Sequence, residues 1–461
     1  MDASRNVAAV RPAAVAGAFY PRDAQELASE LDEMLAAVES FEPRFGFPKA
    51  LVVPHAGYIY SGPMAARAYD EIAGARGLVR RVVLLGPVHR VPVRGLALPG
   101  ARAFATPLGE VPVDAAAVAA LQGLPQVVTS APAHAMEHSL EVQLPFLQRV
   151  LGPGFALVPL AVGDATADEV AQVLERLWGG RETLVVVSTD LSHYHPYEVS
   201  RRVDAETAAK VEAFDTDIRH EQACGATPLN GLLRLARAKG LAMRRLGVCN
   251  SGDTAGGKGR VVGYGAFALD EPGAVSADAA GAELLALARS AIAARLGLPP
   301  APVDEPPPAW LAQKGATFVT LTQQGRLRGC IGSLEAHRAL GEDVRANAEA
   351  AAFRDPRFPP LALDEWPRTR VEVSLLSRPR PMAFSDEADL LEQVRAGEDG
   401  IILEQAGRRA TFLPQVWESL PDKAQFFQQL MAKAGLPPGA RLARSRVWRY
   451  RVRKWKQGGL Q

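Results

Sequence analysis

Four apolar runs without polar alternation mark the first half of the chain: Lys49-Ala-Leu-Val-Val53, Arg81-Val-Val-Leu-Leu-Gly86, Phe155-Ala-Leu-Val-Pro-Leu-Ala-Val162 and Thr183-Leu-Val-Val-Val-Ser188. Each has strand length, and a strand that is apolar throughout belongs in a sheet covered on both faces. Helical spacings accompany them. Leu27, Leu31, Met34, Leu35 and Val38 recur on one face, as do Val170, Val173, Leu174 and Leu177 within Thr166–Trp178. Strands alternating with helices predict an α/β domain built on a mainly parallel sheet.

Later in the chain the pattern changes. Ala316-Thr-Phe-Val-Thr-Leu-Thr322 alternates as a half-buried strand does, and Val371-Glu-Val-Ser-Leu-Leu376 adds another. Gly400–Glu404 and Arg409–Leu413, joined through Gln405-Ala-Gly407, predict a hairpin. Helical patterns cover 279–296, 338–352, 386–396 and 423–434, so the expectation is an α+β domain with a mixed or antiparallel sheet. Breaker-rich segments at Asp270–Ser276 and Leu298–Pro308 look like joints. The boundary is placed at the first, giving domains 1–272 and 273–461, with the second as a loop inside the latter.

With 52 basic and 51 acidic side chains, the net charge of +1 excludes a generally basic nucleic-acid binder. No apolar run approaches the ~20 residues that cross a bilayer. Three cysteines, Cys224, Cys249 and Cys330, make no disulfide framework. The expectation is a cytoplasmic protein without membrane association, whose thiols are available for ligation or chemistry.

The histidines carry the chemical signal. His55 follows the first apolar run, His89 follows the second, and Asp190 and His193 follow the fourth. Three strands thus each deliver metal-capable groups just past their C-terminal ends, the edge where open parallel sheets bind ligands. Neutral imidazoles and a carboxylate suit Fe, Zn, Cu or Ni, and two histidines plus a carboxylate with open positions suit non-haem Fe(II) chemistry on dioxygen. A remaining histidine would act as general acid or base. Cys224 is the candidate thiolate, and Glu137-His138, opening a helix-like segment 138–151, is a candidate outer pair that orients a ligand. Against this, Asp190 can simply cap a turn, and Cys224 can be a small packed thiol. Cys249 is assigned to packing, and His134, His195 and His220 to surface or loop positions.

Val15-Ala-Gly-Ala-Phe-Tyr-Pro21, Pro54-His-Ala-Gly-Tyr58, Gly86-Pro-Val-His89, Glu137-His-Ser-Leu-Glu141 and Ser188-Thr-Asp-Leu-Ser-His193 stand in the order of the Memo family, which residues 10–270 resemble. The resemblance implies the fold of the catalytic subunit of class III extradiol dioxygenases. By position it implies His55, His89 and Cys224 as metal ligands, with Asp190 and His193 lining the same pocket in catalytic roles. It implies Fe(II), with copper also open, and a small-molecule or peptide substrate.

In the second domain, Leu327-Arg-Gly-Cys-Ile-Gly-Ser333 places Cys330 among glycines, where another backbone can approach closely. A nucleophilic thiol is one reading and a packed thiol the other; no base is evident, since the only histidine here is His337. Arg328, Glu372 and the loop Arg354–Pro360 are candidates for an adjoining pocket. In Val447-Trp-Arg-Tyr-Arg-Val-Arg453, period-two spacing predicts one strand with Arg449, Arg451 and Arg453 on one face; nucleic-acid binding is not expected from it. Leu327-Arg-Gly-Cys-Ile-Gly332, Asp355-Pro-Arg-Phe-Pro-Pro-Leu361, Glu372–Leu376 and Ala410-Thr-Phe-Leu-Pro-Gln-Val-Trp417 resemble the AMME-syndrome candidate-gene family, the A component of the AmmeMemoRadiSam system, over about residues 279–455. The joined pair resembles components A and B of that system, which implies a radical-SAM protein as partner, because this chain lacks the Cys-x3-Cys-x2-Cys pattern of such an enzyme.

Overall fold

The structure is a computed structural model and describes residues 10–38, 45–272, 275–299, 307–437 and 439–457. The chain folds as two compact units. The described part of the first comprises residues 10–38 and 47–272, and that of the second comprises 45–46, 275–299, 307–437 and 439–457.

In the first unit the four apolar runs become neighbouring parallel strands, Ala50–Val53, Thr183–Ser188, Arg81–Pro87 and Ala156–Val162, in that spatial order. Their side chains alternate between two cores. Leu51, Val53, Val82, Leu84, Leu184 and Val186 pack in one with the helices Ala24–Ala36, Tyr58–Asp70 and Leu144–Leu151. Ala50, Val52, Val83, Leu85, Val185 and Val187 pack in the other with Ala167–Leu177, Tyr197–Glu212 and Ala226–Ala238. Burial on both faces is why these strands carry no polar alternation. Antiparallel strands extend the sheet on either side: Val261–Asp270 beside Ala50–Val53, and Leu96–Leu98 beside Ala156–Val162. The sheet is mixed and mostly parallel at its centre. The helix expected over 166–178 opens on a reciprocal cap between Thr166 and Glu169.

The register sets Val53 opposite Ser188 and Leu85 opposite Val187, so these strands end level and the loops after them share one edge. The opposite edge is pinned by Lys49. Its buried Nζ donates to the carbonyls of Trp178, Gly180 and Thr183 at 2.6, 2.6 and 2.8 Å.

His134 departs from the surface or loop position expected of it. It is buried in the helix Ala131–Ala135, and its ring Nε2 donates to the Ala97 carbonyl at 2.8 Å. Ser130-Ala-Pro-Ala-His134 has too short an apolar pattern to signal burial. Burial lowers the His134 pKa to about 4. Between the ordinary histidine value near 6.5 and about 4, the unfolded chain binds a proton that the folded one refuses, so stability falls as pH falls, by up to ~1.4 kcal/mol per pH unit. Urea denaturation across this range should show that slope reduced by one proton's worth in His134→Gln; an unchanged slope would contradict the assignment.

In the second unit, the antiparallel strands Arg326–Gly332, Thr317–Gln323, Thr369–Leu376 and Val452–Lys456 pack on the helices Ala277–Arg295 and Leu340–Phe353. A second antiparallel sheet, Arg380–Pro381, Arg446–Tyr450, Gly400–Gln405 and Arg408–Phe412, packs on Lys423–Lys433. The predicted hairpin forms, turning through Ala406 and Gly407, both at positive φ (50° and 74°). The single strand expected over 447–453 does not. The chain leaves one sheet at Tyr450 and enters the other at Val452, with Arg451 between them. Val447 and Trp448 then pack in different clusters, so both faces are occupied and no continuous arginine stripe exists.

Candidate metal centre

Past the level strand ends, His55, His89 and His138 come together. One ring nitrogen from each lies within 4.8 Å of the others. The segment 138–151 is not one helix: His138 stands in the loop before a 3-10 turn at Glu141–Gln143 and the helix Leu144–Leu151. It leaves Glu137 free to reach back and His138 free to face the other rings. Its ring stacks on His89 with centroids 4.6 Å apart and contacts Phe19 at 4.8 Å.

The hydrogen bonds set which nitrogen the His55 and His89 rings offer. His55 Nδ1 lies 2.9 Å from Ser188 Oγ. That hydroxyl donates to the Ser139 carbonyl (2.6 Å) and accepts from Gln143 Nε2 (2.8 Å), so toward His55 it is an acceptor. His55 therefore carries its proton on Nδ1, and its Nε2 lone pair faces the centre. His89 is held the same way: Glu137 accepts from the His89 ring Nδ1 at 2.9 Å and from its backbone N–H at 2.6 Å. Gly86 makes this approach possible, because a Cβ there would lie 2.7 Å from Ser139 Oγ. A carboxylate behind a histidine fixes the tautomer and raises its basicity as a ligand.

Electrostatics favour neutral His55 and His138 rings and an ionised Glu137. Burial, followed by the neighbouring His89 and His138, holds the His55 pKa well below the ordinary value. Burial pushes Glu137 up, but bonds from His89 and from the backbone N–H of Ser139 outweigh it and leave the carboxyl at about 2.

Cys224 and Asp190 lie beside this group. Cys224 Sγ is 3.4 Å from His55 Nε2 and accepts from the Asp190 backbone N–H at 3.3 Å. Gly225 lets the thiol in: its N–H donates to Thr189 Oγ1 at 2.8 Å, and a Cβ would lie 2.7 Å from Thr189 Cβ. Burial first, and the Asp190 charge second, push the Cys224 thiol up to about 12. Asp190 accepts from the His55 backbone N–H at 2.7 Å, and its other oxygen is 4.0 Å from His55 Nε2. Its pKa is raised by burial, against that bond. His193 is half-buried on the short strand His193–His195, with Nδ1 bonded to the Leu191 carbonyl at 2.8 Å. His220 is exposed and bonds the Cys224 carbonyl at 3.2 Å.

The Memo-like protein family model matches residues 11–268. The chain belongs to the Memo family. The match spans every residue of the centre just described, so this arrangement sits within the Memo domain. A MEMO1 family protein of Aquifex aeolicus is 36% identical over 271 residues, covering 55% of this chain and 97% of its own. One of Aeropyrum pernix is 37% identical over 288 residues, with 55% and 98% covered. Residues 285–455 match the AMMECR1 model, so a Memo domain and an AMMECR1 domain share one chain. A crystal structure of the uncharacterized protein PH0010 from Pyrococcus horikoshii is 32% identical, covers 39% of this chain and 91% of that one, and has a TM-score of 0.34. Among the described residues, no helix is long and apolar enough to cross a membrane.

In the AMMECR1 domain the glycines around Cys330 serve packing. A Cβ on Gly329 would lie 2.1 Å from the Ala351 carbonyl of the helix beneath, and one on Gly332 would lie 2.2 Å from the Phe318 ring. A register shift places Arg328 in a bulge, from which it binds both oxygens of Glu365 at 2.8 and 2.9 Å and the Pro359 carbonyl at 3.0 Å. Cys330 Sγ accepts from Thr320 Oγ1 at 3.3 Å, and its backbone N–H donates to Asp355 at 2.8 Å. The Arg357 guanidinium holds Asp355 well below the usual carboxylate range, which makes it a poor base for the thiol. Glu372 lies on the far side of Thr320 in the sheet and pairs with Lys456 at 3.4 Å.

Sequence reasoning placed His138 in an outer pair with Glu137, whereas its ring stands together with those of His55 and His89. The signal was its adjacency to Glu137: the carboxylate that orients His89 brings the next ring with it.

Proposed function

We propose that the Memo domain holds one redox-active transition-metal ion, Fe(II) foremost and copper as the alternative, and acts as a metal-dependent, dioxygenase-like oxidoreductase. The observation that carries this reading is the meeting of three imidazoles, two of which present a lone pair on Nε2 because Nδ1 bonds to the scaffold lock them. Neutral nitrogen donors with a thiol and a carboxylate nearby suit these ions, and a buried site with its tautomers already set needs little rearrangement to load. His55 and His89 would be ligands through Nε2, with Cys224 or His138 in the third place. Bound there, the metal would supply one-electron and dioxygen chemistry. Asp190 orients the His55 backbone, and His193 holds or moves a proton at Nε2. The substrate at this pocket would be a small molecule or peptide, and the AMMECR1 domain would serve a radical-SAM partner protein.

A second reading, a pocket that binds a ligand without turnover, is favoured by one observation: the three-histidine group contains no carboxylate. Anaerobic reconstitution of untagged protein, followed by metal analysis, tests the proposal. Wild type should retain about one equivalent of Fe or Cu, and His55→Ala and His89→Ala close to none. Cys224→Ser and His138→Ala then identify the third ligand. Wild type that keeps no Fe, Cu or Zn defeats the proposal. Metal without oxygen uptake on any aromatic or peptide substrate favours the second reading.

A further inference from the structure

At the edge of the Memo domain's sheet where the parallel strands begin lies a cavity of about 630 Å³, which Ala156, the first residue of its strand, helps to line. The seven-residue strand Arg81–Pro87 runs from this edge toward His89, so the cavity and the histidines are about 20 Å apart. It is a separate site. Its volume is in the range of small-molecule pockets.

The lining joins two chemistries. Leu108, Val111 and Phe155 supply an apolar wall, and Arg76, Arg80 and Arg149 supply guanidinium groups. Arg149 is neutralised by Asp32, with Nε at 2.5 Å, and Glu110, also on the lining, is drawn to Arg102 at 3.5 Å. Arg76 and Arg80 have no carboxylate partner among the described residues. Arg76 donates to the Val150 carbonyl at 3.1 Å, which orients it without cancelling its charge. Both arginines lie against one loop, Gly152-Pro-Gly154. A Cβ at Gly152 would lie 2.5 Å from Arg76 Nη1 and one at Gly154 3.4 Å from Arg80 Nη1, and both glycines have positive φ, 72° and 104°. Two uncompensated guanidiniums thus converge beside an apolar wall.

We propose that this cavity binds an organic phosphate monoester with an apolar or aromatic body. A monoester carries close to two negative charges near neutral pH and presents three acceptor oxygens, which matches two forked donors; a carboxylate would answer only one. The apolar wall takes the body of the ligand.

Calorimetric titration of the full chain with 2-naphthyl phosphate tests this, with inorganic phosphate and 2-naphthoate as separate arms. The expected result is saturable one-to-one binding of naphthyl phosphate, at least about tenfold tighter than either other arm. Arg80→Gln should weaken it at least about tenfold with Tm unchanged, because the Arg80 side chain has no hydrogen-bond or ion-pair partner among the described residues. His55→Ala should leave binding intact. The proposal is overturned by naphthoate binding as tightly as the phosphate, by undiminished binding in Arg80→Gln, by loss of binding in His55→Ala, which would move the site to the metal centre, or by binding that never saturates.

Discussion

Glu141→Ala is expected to destabilise the Memo domain by about 3–5 kcal/mol, a large share of the ~5–15 kcal/mol that holds a typical domain folded. The Glu141 side chain is fully buried. It accepts from Arg11 Nη1 at 2.5 Å, from the backbone N–H groups of Ala14 and Val15 at 2.8 and 2.9 Å, and from the Tyr20 hydroxyl at 2.6 Å. Alanine would leave the Arg11 guanidinium, itself only 5% exposed, buried without a counter-charge. The double replacement Arg11→Met with Glu141→Leu should recover much of the loss, because it removes both charges together. Chemical denaturation of wild type and the two variants checks this, and a loss below about 1 kcal/mol in the single variant would show that water reaches the pair. This interaction also accounts for two of the motifs: Val15–Pro21 and Glu137–Glu141 are written together because one carboxylate ties the entering chain to the loop that carries His138.

Glu137→Gln is expected to lower metal affinity by about 10–100-fold while leaving the fold in place. The carboxylate accepts from the His89 ring and backbone and from the backbone N–H groups of His138 and Ser139, the last two at 2.9 Å each. An amide cannot accept at both ends. Turning its NH2 toward His89 would push the ring proton to Nε2 and remove the lone pair from the centre. Competition with a chromophoric chelator, for Fe(II) anaerobically and for copper, measures the change. Unaltered affinity would mean that His89 does not bind through Nε2.

The chain's apolar runs were enough to place the central sheet, because a strand buried on both faces has no polar position to confuse its reading. They also placed His55, His89 and Asp190 on one edge, since parallel strands of similar length end level. Less could be read where the decisive partner is remote in sequence. His134 looked like a loop residue until Ala97 and Arg11 closed over it. The alternation at 447–453 was real, but a chain that changes sheets at Arg451 keeps its period while losing a common face. Cys330 drew attention through its glycines, whose neighbours are a helix carbonyl and a phenyl ring. Periodicity reports how a segment is buried; it does not report what covers it.

In the proposed reaction the locked rings would also govern where protons can travel. Each imidazole proton at His55 and His89 is spoken for by the scaffold, through Ser188 and Glu137. Neither ring can shuttle hydrogen to a guest without breaking the bond that aims it. In the proposed reaction, traffic to and from solvent would then fall to the groups around them, of which Asp190 is sealed in at 4% exposure. His193, half-buried and anchored through its other nitrogen, would be the door.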